Sequence, residues 1–395
     1  MMSKTRLFTL IITIFVLLLP AFLWAGTIQL PQTGQTKCYD TNGAEISCTG
    51  TGQDGEIRAG VAWPDPRFNI TYCNTAAPCT NQSSDCDGKS FTDVVIDNLT
   101  GLMWARNGNL PNNTMTWYRA IDYANNLNLC GYSDWRLPNI NELESLFNSG
   151  TPDTAMWLNT QGFNNVQPGT TYWSSTTLPG GDPSFAWIIN MTVGYADAYY
   201  KSFWYAVWPV HAGQYDSPDS TYPANIWKTG QTTSYAAGDD GDMEMGVAWP
   251  NPRFTDKGNG TVADNLTGLI WTKDANAPGP SACSPGTSRT WQDALDYVAC
   301  LNTNNYLGYN DWRLPNRIEL RNLIDYSNYA PPLQTGHPFT GVQSYYDDWW
   351  YAYWSSTHSY YDENYTWSVG MFAGDVSLHN AMGSYYVWPV RGRAG

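Results

Sequence analysis

Apolar residues recur at helical spacing in two places along the 395-residue chain. Trp117, Ala120, Ile121, Ala124 and Leu127 form one stripe, and Trp291, Ala294, Leu295, Val298 and Leu301 form the other. A period of 3.6 residues puts each set on one face of a helix. A second short helix is predicted after Pro138 and after Pro315. There Asn139 with Glu142, and Asn316 with Glu319, have the spacing of a capping box. Further on the period falls to two. Tyr365, Trp367, Val369 and Met371 alternate with Thr366, Ser368 and Gly370, which suits a sheet buried on one face, and Phe185, Trp187, Ile189 and Met191 match them in copy one. Two helices followed by an antiparallel meander give an α+β class, once in each half.

The halves are two copies of one unit. Gly60-Val-Ala-Trp-Pro-Asp-Pro-Arg-Phe68 returns as Gly246 to Phe254, and Asp97 to Trp104 returns as Asp264 to Trp271. Gly131 to Asn139 returns as Gly308 to Asn316, Tyr172 to Thr176 as Tyr353 to Thr357, and Trp208-Pro-Val210 as Trp388 to Val390. The order is kept throughout, and the period is that of a whole domain rather than a solenoid unit. The boundaries read as 26–215 and 225–395, with the Ser-, Pro- and Asp-rich stretch 216–224 as linker.

Residues 1–25 have the form of an export signal, with Lys4 and Arg6 ahead of an apolar run from Leu7 to Leu19. Read on through Trp24, the same run is long enough for an uncleaved anchor. No other stretch approaches spanning length. Eight cysteines without a Cys-x-x-Cys pair fit disulfides in an oxidising compartment that is periplasmic, cell-surface or extracellular. Cys38 with Cys48 and Cys283 with Cys300 are the expected pairs. Cys73, Cys79, Cys86 and Cys130 supply two more, in any of three connectivities. A formal charge of −15 argues against nucleic acid or an anionic membrane as partner.

The ordered motifs Thr-Gly-Leu-Met-Trp, Gly-Tyr-x-Asp-Trp-Arg-Leu-Pro-Asn-x-x-Glu-Leu, Tyr-Trp-Ser-Ser-Thr and Trp-Pro-Val resemble the C-terminal domain family of the Legionella collagen-like adhesin. The resemblance covers nearly the whole chain, twice. It implies two tandem C-type-lectin-like domains, each with two helices and an antiparallel sheet, and a role in surface attachment. The adhesin's sulfated polysaccharide ligands suit this chain poorly, because its charge falls from −15 to −17 once Lys4 and Arg6 are removed. No collagen-like stalk is present.

Candidate sites follow from residue chemistry. Asp256, Asn259 and Asp264 offer oxygens for calcium, while Asn259-Gly260 is also a hairpin-turn signal. Asp134 with Arg136, and Asp311 with Arg313, are read as loop-fixing positions in which each Arg takes a carboxylate partner. The aromatic loops are the stronger binding signal. Asp347, Asp348, Trp349, Trp350 and Tyr351, with Tyr360 and Tyr361, are the expected ligand contacts in copy two; Tyr199-Tyr200 and Phe203-Trp-Tyr205 are a comparable run in copy one. Rings of this kind stack on sugars and anchor protein interfaces. Catalysis finds little support: Ser174-Ser175 and Ser355-Ser356 have no adjacent base, and the four His show no repeated pattern. No cofactor is implied beyond a calcium ion. The expectation is therefore a non-catalytic binding or adhesion protein for a glycan or a surface protein. The alternatives are a secreted enzyme with a loop-built carboxylate site and a structural or assembly component.

Overall fold

The computed structural model describes residues 28–73, 93–178, 180, 182–211, 215–216, 219, 221–344 and 351–392. Among these, no helix is long and apolar enough to cross a membrane. The class is α+β with antiparallel sheets.

The two copies meet along one continuous sheet. Its six strands run in the order Ala352–His358, Tyr365–Gly370, Val376–Asn380, Ala196–Tyr200, Phe185–Asn190, Thr171–Thr177. The seam is antiparallel, with Val376 opposite Ala196. Each copy adds a smaller four-stranded sheet that brings its last strand back beside its early ones. In copy one this holds Phe68–Thr71, Val94–Asp97, Met103–Ala105 and Val210–His211; in copy two it holds Phe254–Asp256, Thr261–Asp264, Ile270–Thr272 and Val390–Arg391.

The long helices are Trp117–Asn125 and Trp291–Thr303, each with its apolar stripe buried. The short ones, Ile140–Glu144 and Arg317–Asn322, both carry a complete capping box. Copy one has a further helix, Thr154–Thr160, that periodicity does not announce.

The central sheet is covered on both faces, which corrects the one-sided expectation. Thr366 and Ser368 are as buried as Trp367 and Val369. Tyr353, Trp367 and Val369 belong to the core shared by both copies, while Ala352 and Trp354 pack with helix Trp291–Thr303. A polar residue in such a strand survives burial by bonding to the chain. The hydroxyl of Ser355 donates to Trp367 O at 2.8 Å, and that of Ser174 donates to Trp187 O at 2.8 Å.

The first part of each copy, around Thr33 to Asp54 in copy one and Thr229 to Asp240 in copy two, forms an arm that docks on the other copy. In the first arm, Asp54 accepts hydrogen bonds from Thr33 at 2.6 Å and from Thr357 of copy two at 2.8 Å. In the second, Asp240 accepts from Thr229 and from Thr176 of copy one, both at 2.7 Å. Gln35 brackets the backbone N–H and C=O of His358, and Gln231 brackets those of Thr177. The exchange ties both copies into one hydrophobic core running from Ile28 to Val390.

Disulfides join Cys38 to Cys48, Cys73 to Cys130 and Cys283 to Cys300. Cys79 and Cys86 lie outside the described residues.

Candidate binding faces

In each Asp-Trp-Arg-Leu-Pro loop one glutamate does two jobs. Glu142 accepts two guanidinium bonds from Arg136 at 2.6 Å and also closes the capping box with Asn139. Glu319 does the same for Arg313 and Asn316. All four charged groups are buried, and a paired, hydrogen-bonded charge is the form in which burial is tolerated. These residues brace the loop. Asp134 and Asp311 stay at the surface, where Asp311 meets Arg391 at 2.7 Å.

The oxygens considered for calcium point to other partners. Asp256 pairs with Lys273 at 2.7 Å, and Asn259 accepts from Thr261. Asp264 is fully buried against Arg253 and accepts from Leu266 N and Thr267 Oγ1. Between them the chain makes a hairpin, with Gly258 and Gly260 at positive φ. Among the described residues, no group of three His, Cys, Asp or Glu is gathered to hold a metal.

Of the copy-two aromatic residues, Asp347, Asp348, Trp349 and Trp350 lie outside the described residues. Tyr351 stacks on Tyr386 with ring centroids 5.9 Å apart. Tyr360 serves arm docking: its ring meets Tyr39 edge-on and lies under the Lys37 ammonium. Tyr361 is 59% exposed.

Copy one carries the exposed aromatic cluster. Tyr118, Tyr200, Phe203 and Trp204 are between 45% and 51% exposed. Phe185 packs on Tyr200 at 4.0 Å, Tyr200 on Phe203 at 5.9 Å, and the Arg119 guanidinium lies 5.5 Å from the Trp204 ring. These rings share one place because Trp117 N donates to Lys201 O, which holds the helix start beside the 200–205 turn. At the same positions copy two has Gln292, Asn380, Gly383 and Ser384, so the cluster belongs to one copy only.

Lys201 lies beneath this face, a position that sequence reading passes over. It is 4% exposed, with its ammonium 3.8 Å from the Trp117 ring centre and 4.8 Å from that of Tyr235 in the second arm. Among the described residues Nζ has no hydrogen-bond partner, and burial pushes its pKa down to about 8, against a smaller opposing pull from Asp239. Cation–π contact supplies part of the lost hydration.

One Ser–His contact also escapes sequence reading. Ser368 Oγ and His379 Nδ1 are 2.7 Å apart. Ser368 is fully buried within the sheet, so no substrate reaches its hydroxyl.

A family model described as the Lcl C-terminal domain matches residues 93–211 and 260–391, more than half of the chain. The chain belongs to that family. It carries the domain twice in tandem, and both arms lie outside the matched segments. No curated protein matches the chain. The family is associated with adhesion rather than with a known enzymatic activity, and among the described residues each copy has a disulfide within the repeated unit, Cys73–Cys130 in copy one and Cys283–Cys300 in copy two.

Proposed function

We propose that the chain is an exported, non-catalytic attachment protein that holds a glycan or protein ligand on the aromatic face of copy one. The observation that carries this reading is the group of four exposed rings, Tyr118, Tyr200, Phe203 and Trp204, with no counterpart in copy two. Single exposed rings are ordinary, but several gathered on one face mark an interaction surface, and flat faces with polar tips suit both sugars and protein anchors. Family membership supports the adhesive role, and the disulfides support export. The lectin-like character of each copy rests on the motif resemblance. A net charge of −15 favours a neutral or cationic ligand over a sulfated one. The copy-two loop holding Asp347, Asp348, Trp349 and Trp350 is proposed as a second contact surface.

The test is binding of the full mature chain to a glycan array and to immobilised surface proteins, with calcium and with chelator. Phe203→Ala and Trp204→Ala are the copy-one variants, and Trp349→Ala and Trp350→Ala the copy-two variants. The proposal expects at least one copy-one variant to melt normally and bind the best hit at least ~1.4 kcal/mol more weakly, a tenfold loss. Parental binding by both copy-one variants would remove the face from the reading.

A further inference from the structure

The internal repeat offers its own control for a second site. In copy one, Trp63 sits between the Arg67 guanidinium, 4.4 Å from its ring, and the Trp157 ring at 5.6 Å. In copy two, the equivalent Trp249 keeps its arginine, Arg253 at 4.3 Å. It has no aromatic partner among the described residues. Helix Thr154–Thr160, which delivers Trp157, has no counterpart: residues 331–338 run there without a helix. What remains beside Trp249 is a cavity of about 290 Å³.

The rest of its lining is polar, with Lys228, Glu244 and Asp325 as its charged groups. Lys228 and Glu244 pair at 3.1 Å at one side. Asp325, equivalent to Asn148 of copy one, accepts from Ser327 N at 2.9 Å, Ser327 Oγ at 2.6 Å and Asn328 Nδ2 at 2.9 Å, and burial raises its pKa against these donors and the opposing charge of Arg253. Gln334 adds an amide. Gly230 makes the approach of the arm possible, since a Cβ there would lie 2.3 Å from Asp325 Oδ1 and 2.8 Å from the Trp249 ring. Its φ of +91° also favours glycine.

We propose that this cavity binds one neutral sugar ring, with Trp249 under its apolar face and Asp325, Ser327 and Gln334 meeting its hydroxyls. Copy one fills the equivalent place with the Trp157 ring, tilted 39° to Trp63 at 5.6 Å. Lys228 is held by Glu244, and Asp325 already takes donors from Ser327 and Asn328, so the lining suits hydroxyls better than an ion, and it disfavours a purely apolar guest. The volume lies just below the usual range of about 300–1,000 Å³ for drug-sized ligands, which suits a single ring rather than a chain. This site is separate from the copy-one face and stands without it.

The experiment titrates the full mature chain with the methyl glycosides of glucose, galactose, mannose and N-acetylglucosamine, and with methylammonium as the cationic comparison. Binding is followed by tryptophan fluorescence and by NMR. The variant Gln334→Trp places a ring where copy one has one, and Ser327→Trp does so from the neighbouring wall. The expected result is saturable binding of at least one glycoside, weakened tenfold or more in whichever filled variant keeps the parental melting temperature. The binding that the filled variants lose should persist in Trp204→Ala, so failure here is distinct from failure of the attachment reading. Undiminished binding by a filled variant, saturation by none of the glycosides, or tighter binding of methylammonium would each overturn the proposal.

Discussion

Glu144 of copy one and Arg321 of copy two occupy equivalent positions in the repeat and face each other 3.1 Å apart across the junction. Arg317 joins them at 3.1 Å from the other carboxylate oxygen, where copy one has Ile140. All three are buried. With identical copies, like charges would meet here, and each would lie unpaired in a dry interface. Divergence at two positions turns a self-repelling junction into a complementary one. Removing the carboxylate leaves two buried guanidinium groups uncompensated, so Glu144→Gln is expected to cost about 3–5 kcal/mol in urea unfolding. Arg321→Glu alone should be equally severe. The double exchange Glu144→Arg with Arg321→Glu should recover part of the loss, and no recovery would mean that the pair's orientation matters more than its charge.

Asp54 and Asp240 give the docked arms a pH dependence with a definite sign. Both are fully buried, and desolvation raises them, Asp54 to about 6 and Asp240 to about 7, against the lowering effect of their threonine donors. A carboxyl whose folded pKa is raised contributes stability that is present below its unfolded value of 3.8 and lost as pH rises through 6 to 7. His358, pushed down to about 4 by burial, runs the other way, its contribution being lost as the solution is acidified. The difference between variant and parent isolates the aspartates. Asp54→Asn and Asp240→Asn should match the parent near pH 4. Each should gain on it by pH 8, on the order of 2–4 kcal/mol, since a difference of one in pKa is about 1.4 kcal/mol. A gap that does not change with pH would show that both carboxyls titrate normally.

The short capped helices were legible because their signals are local. Asn139 and Glu142 stand three residues apart, so spacing suggests the capping box, whereas the need of Arg136 for a carboxylate does not by itself name Glu142. The arm exchange was not legible. Asp54 and Thr357 are 303 residues apart, and nothing around either residue marks it for a partner in the other copy. Thr366 and Ser368 misled for a related reason: alternation reports which residues are apolar, but not whether a second layer covers the polar face. The aromatic face was half legible. Its residues were visible as a run, but the bond from Trp117 N to Lys201 O, which gathers them beside Tyr118, is tertiary.

Lys201 should be a stability cost that copy two avoids by having Ala381 in its place. Its depressed pKa means that its contribution is favourable only above about 10.5 and is lost as pH falls through about 8. Lys201→Met keeps the length and removes the charge. Its melting temperature should exceed the parent's at pH 7, and the advantage should shrink as pH rises toward 10. An unchanged or lower melting temperature at pH 7 would show that the contacts with Trp117 and Tyr235 repay the desolvation in full.

The two arms are also expected to act as one cooperative device. Gln35 satisfies the buried N–H and C=O of His358 at 2.9 Å and 2.7 Å, and Gln231 does so for Thr177 at 2.9 Å and 2.8 Å. Gln35→Ala or Gln231→Ala leaves a buried donor and acceptor unmet, at about 1–3 kcal/mol for each orphaned group. The bracketed strands lie at opposite ends of one six-stranded sheet. Sites that far apart normally give additive effects to within about 0.5 kcal/mol. The arms, however, are clamped into a core that both copies share, so releasing one loosens the surface on which the other docks. The double variant should therefore lose less than the summed single losses, because the first change has already weakened what the second removes. Urea unfolding of the four chains measures this directly. Strict additivity would show that each arm docks on its own copy-sized unit and that the shared core does not couple them.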